Sequence, residues 1–263
     1  MDKDLIIDAS SDSGVDIALL EDKKLVELHR AKSESQHIVG DIYLGQVKRI
    51  LPGLNAAFVD VGYEKDGFLH YLDLGLYYSS IKRFTKMGIS NSLNNVDLKS
   101  LKEPNLGKNG LITDYVKQGQ LILVQISKEP ISTKGPRLSA EISFAGRFLV
   151  LVPFSNKVSI SQKIKNSEER NRLKRLIQSI RPEGFGIIIR TVAEGQSVAD
   201  LDNDLRDLMS KWDELIKKLP KSLPPCKMIS EMDKSSVIIR DMLTEEFTNI
   251  YVNDVDMYEE LKT

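Results

Sequence analysis

The chain has very little of the chemistry that stabilises or anchors exported proteins. Cys226 is its single cysteine, so neither an intrachain disulfide nor a cysteine-rich zinc site can form, and its three histidines are scattered. No apolar run approaches the roughly 18 residues that a membrane span needs, and the first residues lack the features of a signal peptide. These absences predict a soluble protein of the reducing cytoplasm, not exported by a classical route and without a membrane span.

Net charge is also nearly absent from the chain as a whole. Lys and Arg number 37 against 38 Asp and Glu, a net charge of -1 over 263 residues, which indicates no polyanionic partner. Locally the balance differs: residues 134–190 hold twelve basic and four acidic residues, a net +8, whereas fifteen acids and nine bases follow from Asp200 onward. Clustered Lys and Arg favour phosphate binding. For the run Arg170–Arg175, the alternative is the solvated face of an amphipathic helix.

The two chain ends share one predicted domain. Residues 3–32 predict an antiparallel meander of three short strands, KDLIIDAS, VDIALLED and KLVELHRA. Such a sheet needs a covering layer, and no helix lies nearby in sequence. After the linker SLPPCK the pattern predicts strand, helix, strand and helix in SSVIIR, DMLTEEF, NIYVND and DMYEELKT. We therefore predict a domain made of both ends and interrupted by residues of about 37–225.

The first part of the interruption predicts a small β-barrel. Residues 38–84 read as short β segments punctuated by glycine, which permits the sharp bends of a barrel. The strand-like segment KQGQLILVQIS at 117–127 would close it. Between them, residues 85–116 are rich in Asn, Ser, Gly and Lys, which predicts a mobile polar insertion.

The second part, residues 138–225, predicts a small α/β domain. Strands are expected at RFLVLVPF, KVSISQKI and GFGIIIRTV. One helix is predicted to begin after Ser167 as its N-cap, and a second after Ser197, which forms a capping box with Asp200. The apolar face of the second helix includes Trp212, which we expect in the core.

Several sequence blocks resemble one known family. The strings DIYLGQVKRILPGL and AAFVDVGYEKDGFLH resemble the ribonuclease E/G family, in which this segment begins an OB-fold RNA-binding barrel. Further matching blocks follow in the same order: VKQGQLILVQISKE, TKGPRLS, SFAGRFLVLVP, RPEGFGIIIRT and VIIRDMLTEEFTNIYVND. The resemblance implies an α+β multidomain fold in which a ribonuclease-H-like α/β domain formed by both chain ends is interrupted by two inserts. The implied parts are the ribonuclease-H-like domain at 1–36 and 226–263, the OB-fold barrel at 37–137 with its insertion at about 85–116, and a five-prime sensor domain at 138–225.

The resemblance implies single-stranded RNA as the partner of the barrel. Phe58 and Phe68 fall on positions that stack or pack against RNA bases, and Lys134 falls on a basic position near the barrel's edge. Lys48 and Arg49 lie on a strand of the same barrel. The alternatives are that an aromatic ring belongs to the barrel core and that the lysines are simply solvated.

The resemblance also implies recognition of a monophosphate at the five-prime end of RNA. Arg190 and Thr191 match an Arg-Thr pair that contacts this phosphate through a guanidinium fork and a hydroxyl. Gly146 and Val150 match positions lining the same pocket. The family's arginine in an Ile-Ser-Arg-Arg-Ile strand is Gln162 here, so sensing is expected to be weaker, rearranged or lost. The alternative for Arg190 is a charge capping the end of its strand.

No catalytic or metal-ligating residue is predicted in this chain. The resemblance implies cleavage of single-stranded RNA with magnesium held by aspartates in a domain beyond the last residue here, and zinc shared between subunits through cysteines that also lie outside it. Asp254 and Asp256 have a D-x-D spacing without a recognisable third ligand, which predicts a solvated turn. We expect no cofactor in this chain, no cleavage by it alone, and a homo-oligomer only for the full-length protein.

The sequence leads to one preferred functional interpretation and two alternatives. The first is the RNA-binding, five-prime-monophosphate-sensing N-terminal region of a ribonuclease E/G-type endoribonuclease of RNA processing and decay. A rival is a stand-alone OB-fold RNA-binding regulatory protein without nuclease activity. A further rival is an interaction platform whose RNA affinity is vestigial.

Overall fold

A computed structural model describes residues 2–11, 14–31, 38–93, 97–231, 236 and 247–262. The chain is mixed α/β and divides into two compact units, one of residues 1–38 with 232–263 and one of residues 39–231. In chain order the described strands are β1 (Lys3–Ser11), β2 (Gly14–Glu21), β3 (Lys24–Ala31), β4 (Ile42–Leu51), β5 (Ala56–Asp60), β6 (Gly67–His70), β7 (Leu121–Lys128), β8 (Arg137–Ser139), β9 (Phe144–Ala145), β10 (Leu149–Pro153), β11 (Val158–Ile160), β12 (Phe185–Ile189), β13 (Cys226–Ile229) and β14 (Asn249–Val252). The described α-helices are α1 (Tyr78–Ile89), α2 (Ile112–Tyr115), α3 (Ser167–Ile180), α4 (Val198–Lys218) and α5 (Val255–Lys262).

The terminal unit contains a sheet built from both chain ends. Its described strands have the order β14-β1-β2-β3, with β14 parallel to β1 and the meander antiparallel. Period-two alternation in β1 buries Leu5 and Ile7, which pack with Ile17 and Phe247. The predicted segment SSVIIRDMLTEEF lies, apart from Ser236 and Phe247, outside the described residues. The ribonuclease-H-like arrangement of this unit stays a prediction.

The second unit contains a closed five-stranded barrel of the OB-like type. Its strand order is β4-β5-β6-β8-β7, and β7 returns to pair with β4. The long strand β4 pairs with β7 along its first half and with β5 along its second half. Gly45 lies where the strands cross closely, since a Cβ there would stand 2.7 Å from the carbonyl oxygen of Asp60. The predicted barrel and its closure by the segment at 117–127 are confirmed.

The prediction of a mobile polar insertion at 85–116 is wrong for the part of it that the structure describes. Helix α1 extends to Ile89, and Leu101, Leu106 and Ile112 are buried at 6% exposure or less. Asn55 anchors the last part of this segment, because its side chain accepts a hydrogen bond from the backbone N–H of Ile112 at 2.7 Å. The composition of the segment concealed its apolar anchors, which are spaced singly rather than with a strand or helix period.

The barrel shares a core with the small α/β domain. The sheet of this domain has the order β11-β12-β10-β9, and helices α3 and α4 pack against it. Trp212 of α4 is buried, as predicted, and stacks on Phe84 of α1 at a ring-centroid distance of 4.7 Å. Three further rings surround it edge-on, those of Phe144, Phe154 and Phe185. The aromatic cluster therefore ties α1, next to the barrel, to the α/β domain.

Residues 38–84 are predicted as β segments, but helix α1 begins within them at Tyr78. Three further boundaries also differ from the prediction. Asn166 rather than Ser167 is the N-cap of α3, accepting the N–H of Glu168 at 2.9 Å, whereas the capping box of Ser197 and Asp200 is confirmed. Strand β11 ends at Ile160, so the rest of KVSISQKI lies in a turn.

The third difference concerns the end of the inserted unit. The sequence predicts that residues 226–231 belong to the terminal domain, but β13 pairs with β4 of the barrel sheet. Lys227 forms an ion pair of 2.6 Å with Asp41, which is fully buried and accepts the N–H of Glu231 at 2.8 Å. The chain therefore passes to the terminal unit after Glu231 rather than after Pro225.

Candidate nucleic-acid interface

Two phenylalanines form an aromatic platform on the barrel surface. Phe58 of β5 and Phe68 of β6 are paired across adjacent antiparallel strands, so their side chains share one face. Their ring centroids are 5.8 Å apart at an interplanar angle of 71°. Both rings are half-buried, while their neighbours Ala57 and Val59 fill the barrel interior. The rings are thus surface features supported by the barrel rather than members of its core.

Basic side chains surround this platform. Arg49 lies opposite Phe58 on β4, and its guanidinium carbon is 4.7 Å from the centre of the Phe58 ring. Arg137 is held at the rim by two hydrogen bonds from its Nη2 and Nε to the carboxylate of Asp73, at 2.9 and 3.1 Å. The two rings and these basic residues belong to a cleft of about 620 Å³, which we call the aromatic cleft. Its lining residues are Arg49, Phe58, Lys65, Asp66, Phe68, Thr133, Lys134, Gly135 and Arg137.

A tight turn brings Lys134 to the aromatic cleft. The backbone N–H of Lys134 donates to the carbonyl of Ile131 at 3.0 Å. A Cβ on Gly135 would lie 2.2 Å from the carbonyl oxygen of Asp66, so only glycine lets this turn approach the facing loop. The predicted basic position at the barrel edge is therefore part of the cleft, together with Phe58 and Phe68.

Lys48 does not lie in the aromatic cleft. A β-bulge interrupts the register between Val47 and Arg49, and Lys48 forms an ion pair of 3.1 Å with Asp60 instead. Partial burial of Asp60 opposes its ionisation, but the N–H of Gly62 and the Lys48 ammonium hold the pKa of this carboxyl below its usual value. The structure thus separates Lys48 from the other predicted RNA-binding residues.

The predicted phosphate-binding residues meet at one edge of the α/β domain's sheet, where β11 and β12 end and β10 begins. The Nη1 of Arg190 donates to the carbonyls of Gly146 at 2.7 Å and of Arg147 at 3.1 Å. The hydroxyl oxygens of Thr191 and Ser161 are 2.8 Å apart, and Gln162 follows Ser161 directly. We call this region the sheet edge. These two hydrogen bonds fix the guanidinium of Arg190 against the turn that contains Gly146 and Arg147.

Val150 lies within β10, one strand away from these polar groups. It is half-buried and pairs with Ala145 and Ile188 in the sheet. Beside the turn that carries Gly146, its apolar side chain suits the wall of the predicted phosphate pocket rather than a polar contact with the phosphate.

Asp204 of α4 organises the turn that carries Gly146, and the sequence contained no sign of it. Its carboxylate accepts the backbone N–H groups of Arg147, Phe148 and Leu149 at 2.9, 2.9 and 2.8 Å. A Cβ on Gly146 would stand 2.4 Å from an oxygen of this carboxylate. Because Asp204 is 57 residues from Arg147 in the chain, no local motif could have revealed the contact.

The basic side chains of the run Arg170–Arg175, for which a solvated helix face is the alternative to phosphate binding, point in different directions. Arg172 binds Glu169 through two hydrogen bonds of 2.6 and 2.7 Å. These bonds, with the N–H of Gly195, lower the pKa of Glu169 to about 2. Arg170 turns the other way, and its Nη1 donates to the carbonyls of Ser161 and Ile164 at 2.7 and 3.0 Å.

The described residues do not supply a magnesium site. Among them, no three His, Cys, Asp or Glu side chains lie together as metal ligands would. Asp254 instead caps α5, since its Oδ1 accepts the N–H of Met257 at 2.8 Å, and the side chain of Asp256 lies outside the described residues. None of the helices that the structure describes is long and apolar enough to cross a membrane.

Comparison with known proteins identifies the family that the sequence resembles. Residues 143–263 match a family model described as "Ribonuclease E/G family". The chain is 35% identical to ribonuclease G of Haemophilus influenzae over 94% of its length and 46% of that protein. It is 32% identical to ribonuclease G of Escherichia coli over 93% of its length and 46% of that protein. For ribonuclease E of Nostoc sp. the identity is 35% over 82% of this chain and 28% of that protein.

The chain spans about half the length, or less, of the curated relatives it matches. These similarities run across the barrel and the α/β domain alike, and the sequence blocks that resemble the family lie in both. The chain belongs to the ribonuclease E/G family.

Proposed function

We propose that this chain is the RNA-binding and five-prime-end-sensing region of a ribonuclease E/G-type endoribonuclease. The observation that carries the proposal is the aromatic cleft, where two half-buried rings 5.8 Å apart lie among basic side chains. Aromatic rings stack on any base, and surrounding cations neutralise the backbone, which together bind single strands with little sequence preference. Cleavage would belong to the part of the longer protein that this chain does not include.

In the aromatic cleft the two rings would take bases, and the cations would take phosphates. Arg49 covers part of the Phe58 ring, so a base stacking there would also contact the guanidinium plane. Lys134 and Lys65 also line the cleft. Among the described residues neither lysine forms an ion pair, which leaves its charge for a phosphate.

At the sheet edge a terminal phosphate would meet the hydroxyls of Thr191 and Ser161 beside the fixed guanidinium of Arg190. Because Gln162 is neutral, the edge has one cation fewer than the family pattern implies. We therefore expect the monophosphate to be preferred over a five-prime hydroxyl by less than tenfold, that is, by under about 1.4 kcal/mol.

The test is fluorescence anisotropy with a single-stranded RNA of roughly ten nucleotides, within the usual site sizes of OB-folds. The label is at the three-prime end, and the five-prime end carries a monophosphate or a hydroxyl. The double variant F58A/F68A should lose roughly tenfold or more in affinity for both RNAs. R190A should lose only the preference for the monophosphate.

Lys134→Ala and Lys48→Ala form a matched pair of variants for this test. Both remove a barrel lysine, but only Lys134 lines the aromatic cleft, so only K134A should weaken binding by several-fold. Equal binding by wild type and F58A/F68A would contradict the proposed role of the cleft. Shortened RNA on a gel after the titration would contradict the absence of cleavage by this chain alone.

A further inference from the structure

A groove beside the sheet edge has the features of a second contact with RNA. It runs between β11 and α3, holds about 470 Å³, and is called here the α3 groove. Strand β11 is the edge strand among the described strands of its sheet, so the groove lies along a side that none of those strands occupies. Its lining residues are Val158, Ser159, Ile160, Gln162, Arg170, Asn171 and Lys174.

The charge of this groove is not cancelled by its lining. Two cations line it, Arg170 and Lys174, and the lining includes no carboxylate. A neighbouring side of the same helix shows the opposite arrangement, because Arg172 there is paired with Glu169 at 2.6 Å. Helix α3 thus has a neutralised side and a cationic side, and the cationic side faces the groove.

Arg170 is held in position without losing its charge. Its Nη1 donates to the carbonyls of Ser161 and Ile164, and neutral carbonyls orient a guanidinium without neutralising it. In the described part of the chain Arg170 forms no ion pair. A cation that is already immobilised loses little conformational entropy when an anion binds.

Lys174 extends the cationic surface by one helical turn. Residues four apart on a helix have Cβ atoms about 5–6 Å from each other, so Arg170 and Lys174 form a row rather than a single point. A row of cations beside an open groove suits successive phosphates of an extended strand better than a lone anion. Asn171, on the same side, adds a neutral donor and acceptor.

The α3 groove is continuous with the sheet edge. Ser161 joins them, since its carbonyl accepts from Arg170 and its hydroxyl lies 2.8 Å from that of Thr191. We propose that the α3 groove binds the sugar–phosphate backbone of single-stranded RNA next to its five-prime end. The inference rests on the proposed function and adds to it a place for the internal phosphates that follow the terminal one.

The test compares two neighbouring residues of α3. Lys174 lines the groove, whereas Arg175 is exposed, has the same charge and lies outside it. The probe is the three-prime-labelled RNA with a five-prime hydroxyl, so that end recognition does not contribute. We expect K174A to lose three- to tenfold in affinity and to lower the slope of log K against log salt by about 0.7, the value for one phosphate contact on a single strand. R175A should retain both the wild-type affinity and the wild-type slope.

A second variant tests the groove without removing a cation. Asn171→Asp places a carboxylate among Arg170 and Lys174 on an exposed helix position, and should weaken RNA binding at least as much as K174A. Thermal unfolding of each variant checks that the fold is retained.

The outcomes separate the groove from the proposed function. If K174A and R175A bind RNA with equal affinity, while the wild type binds and F58A/F68A is impaired, the proposed role of the α3 groove is overturned and the proposed function is not. Wild-type binding of a poly-glutamate peptide as tight as that of RNA, and lost in K174A, would overturn RNA as the occupant. A wild-type chain without affinity for RNA would overturn both proposals.

Discussion

The aromatic cleft and the sheet edge are built in opposite ways. The cleft offers exposed parts of two rings and a rim of basic side chains on the barrel surface. The edge offers hydroxyls and a guanidinium that already bonds the backbone of a neighbouring turn. Stacking tolerates any base, whereas a fixed set of donors suits one chemical group in one orientation. Under the proposed function, the barrel would therefore supply affinity for RNA and the edge would supply discrimination between five-prime ends.

The largest effect should come from breaking the aromatic cluster that ties α1 to the α/β domain. Trp212→Ala removes a buried ring that contacts four phenylalanines, and we expect a loss of about 3–5 kcal/mol in the free energy of unfolding. Chemical denaturation followed by circular dichroism measures this, because the variant lacks the chain's only tryptophan. Tyr251→Ala, at an exposed position of the terminal unit, is the control and should lose under about 1 kcal/mol.

Asp204→Asn should affect the sheet edge and not the aromatic cleft. The amide keeps the shape but has only one acceptor oxygen for three backbone N–H groups, which should cost about 2–3 kcal/mol of stability. Because the same turn holds Arg190, the preference for monophosphate RNA should disappear while affinity for hydroxyl-ended RNA stays within twofold. A retained preference would show that the turn does not position Arg190.

Gly135→Ala should affect only the aromatic cleft. A methyl group there meets the Asp66 carbonyl, so the turn must move and carry Lys134 with it. We expect a several-fold loss of affinity for both RNAs in the anisotropy titration, with end preference unchanged. Gly53→Ala, where no heavy atom lies within 4 Å of the new methyl, is the matched control and should leave the affinity unchanged.

The smallest expected effect is a pH dependence next to the sheet edge. The pKa of Glu169 is lowered to about 2, so its pairing with Arg172 stabilises the fold above the unfolded pKa near 4.5 and is lost as pH falls towards 2. Glu169→Gln should therefore cost about 1–2 kcal/mol at pH 7 and progressively less below pH 4.5. Urea denaturation of both proteins at a series of pH values measures the difference, and a cost independent of pH would contradict the assignment.

Local pattern was enough to predict elements in both units of the chain. Strand alternation placed β1, β2 and β3, and the Ser197–Asp200 pair placed the start of α4. The resemblance brought Phe58, Phe68 and Lys134 into one predicted site, and the structure places all three along the same cleft. It also included Lys48, which a one-residue bulge removes from the cleft, and a bulge leaves no clear mark in the sequence.

The insertion at 85–116 shows why composition misled. Its polar residues outnumber its anchors, yet Leu101, Leu106 and Ile112 are buried because the barrel wall and α1 lie against them. The burial of a single leucine depends on what the rest of the chain places beside it.

By itself the sequence determined the N-terminal meander, the closed barrel, the two helices of the α/β domain and the family, because these depend on periodicity, capping residues and ordered blocks of similarity. Only the tertiary structure decided which charges remain available. Arg172 and Lys48 are neutralised by nearby carboxylates, while Arg170 is held by neutral carbonyls. The physical reason is that an ion pair or a hydrogen bond depends on distances of about 3 Å between groups that the chain itself can separate by dozens of residues.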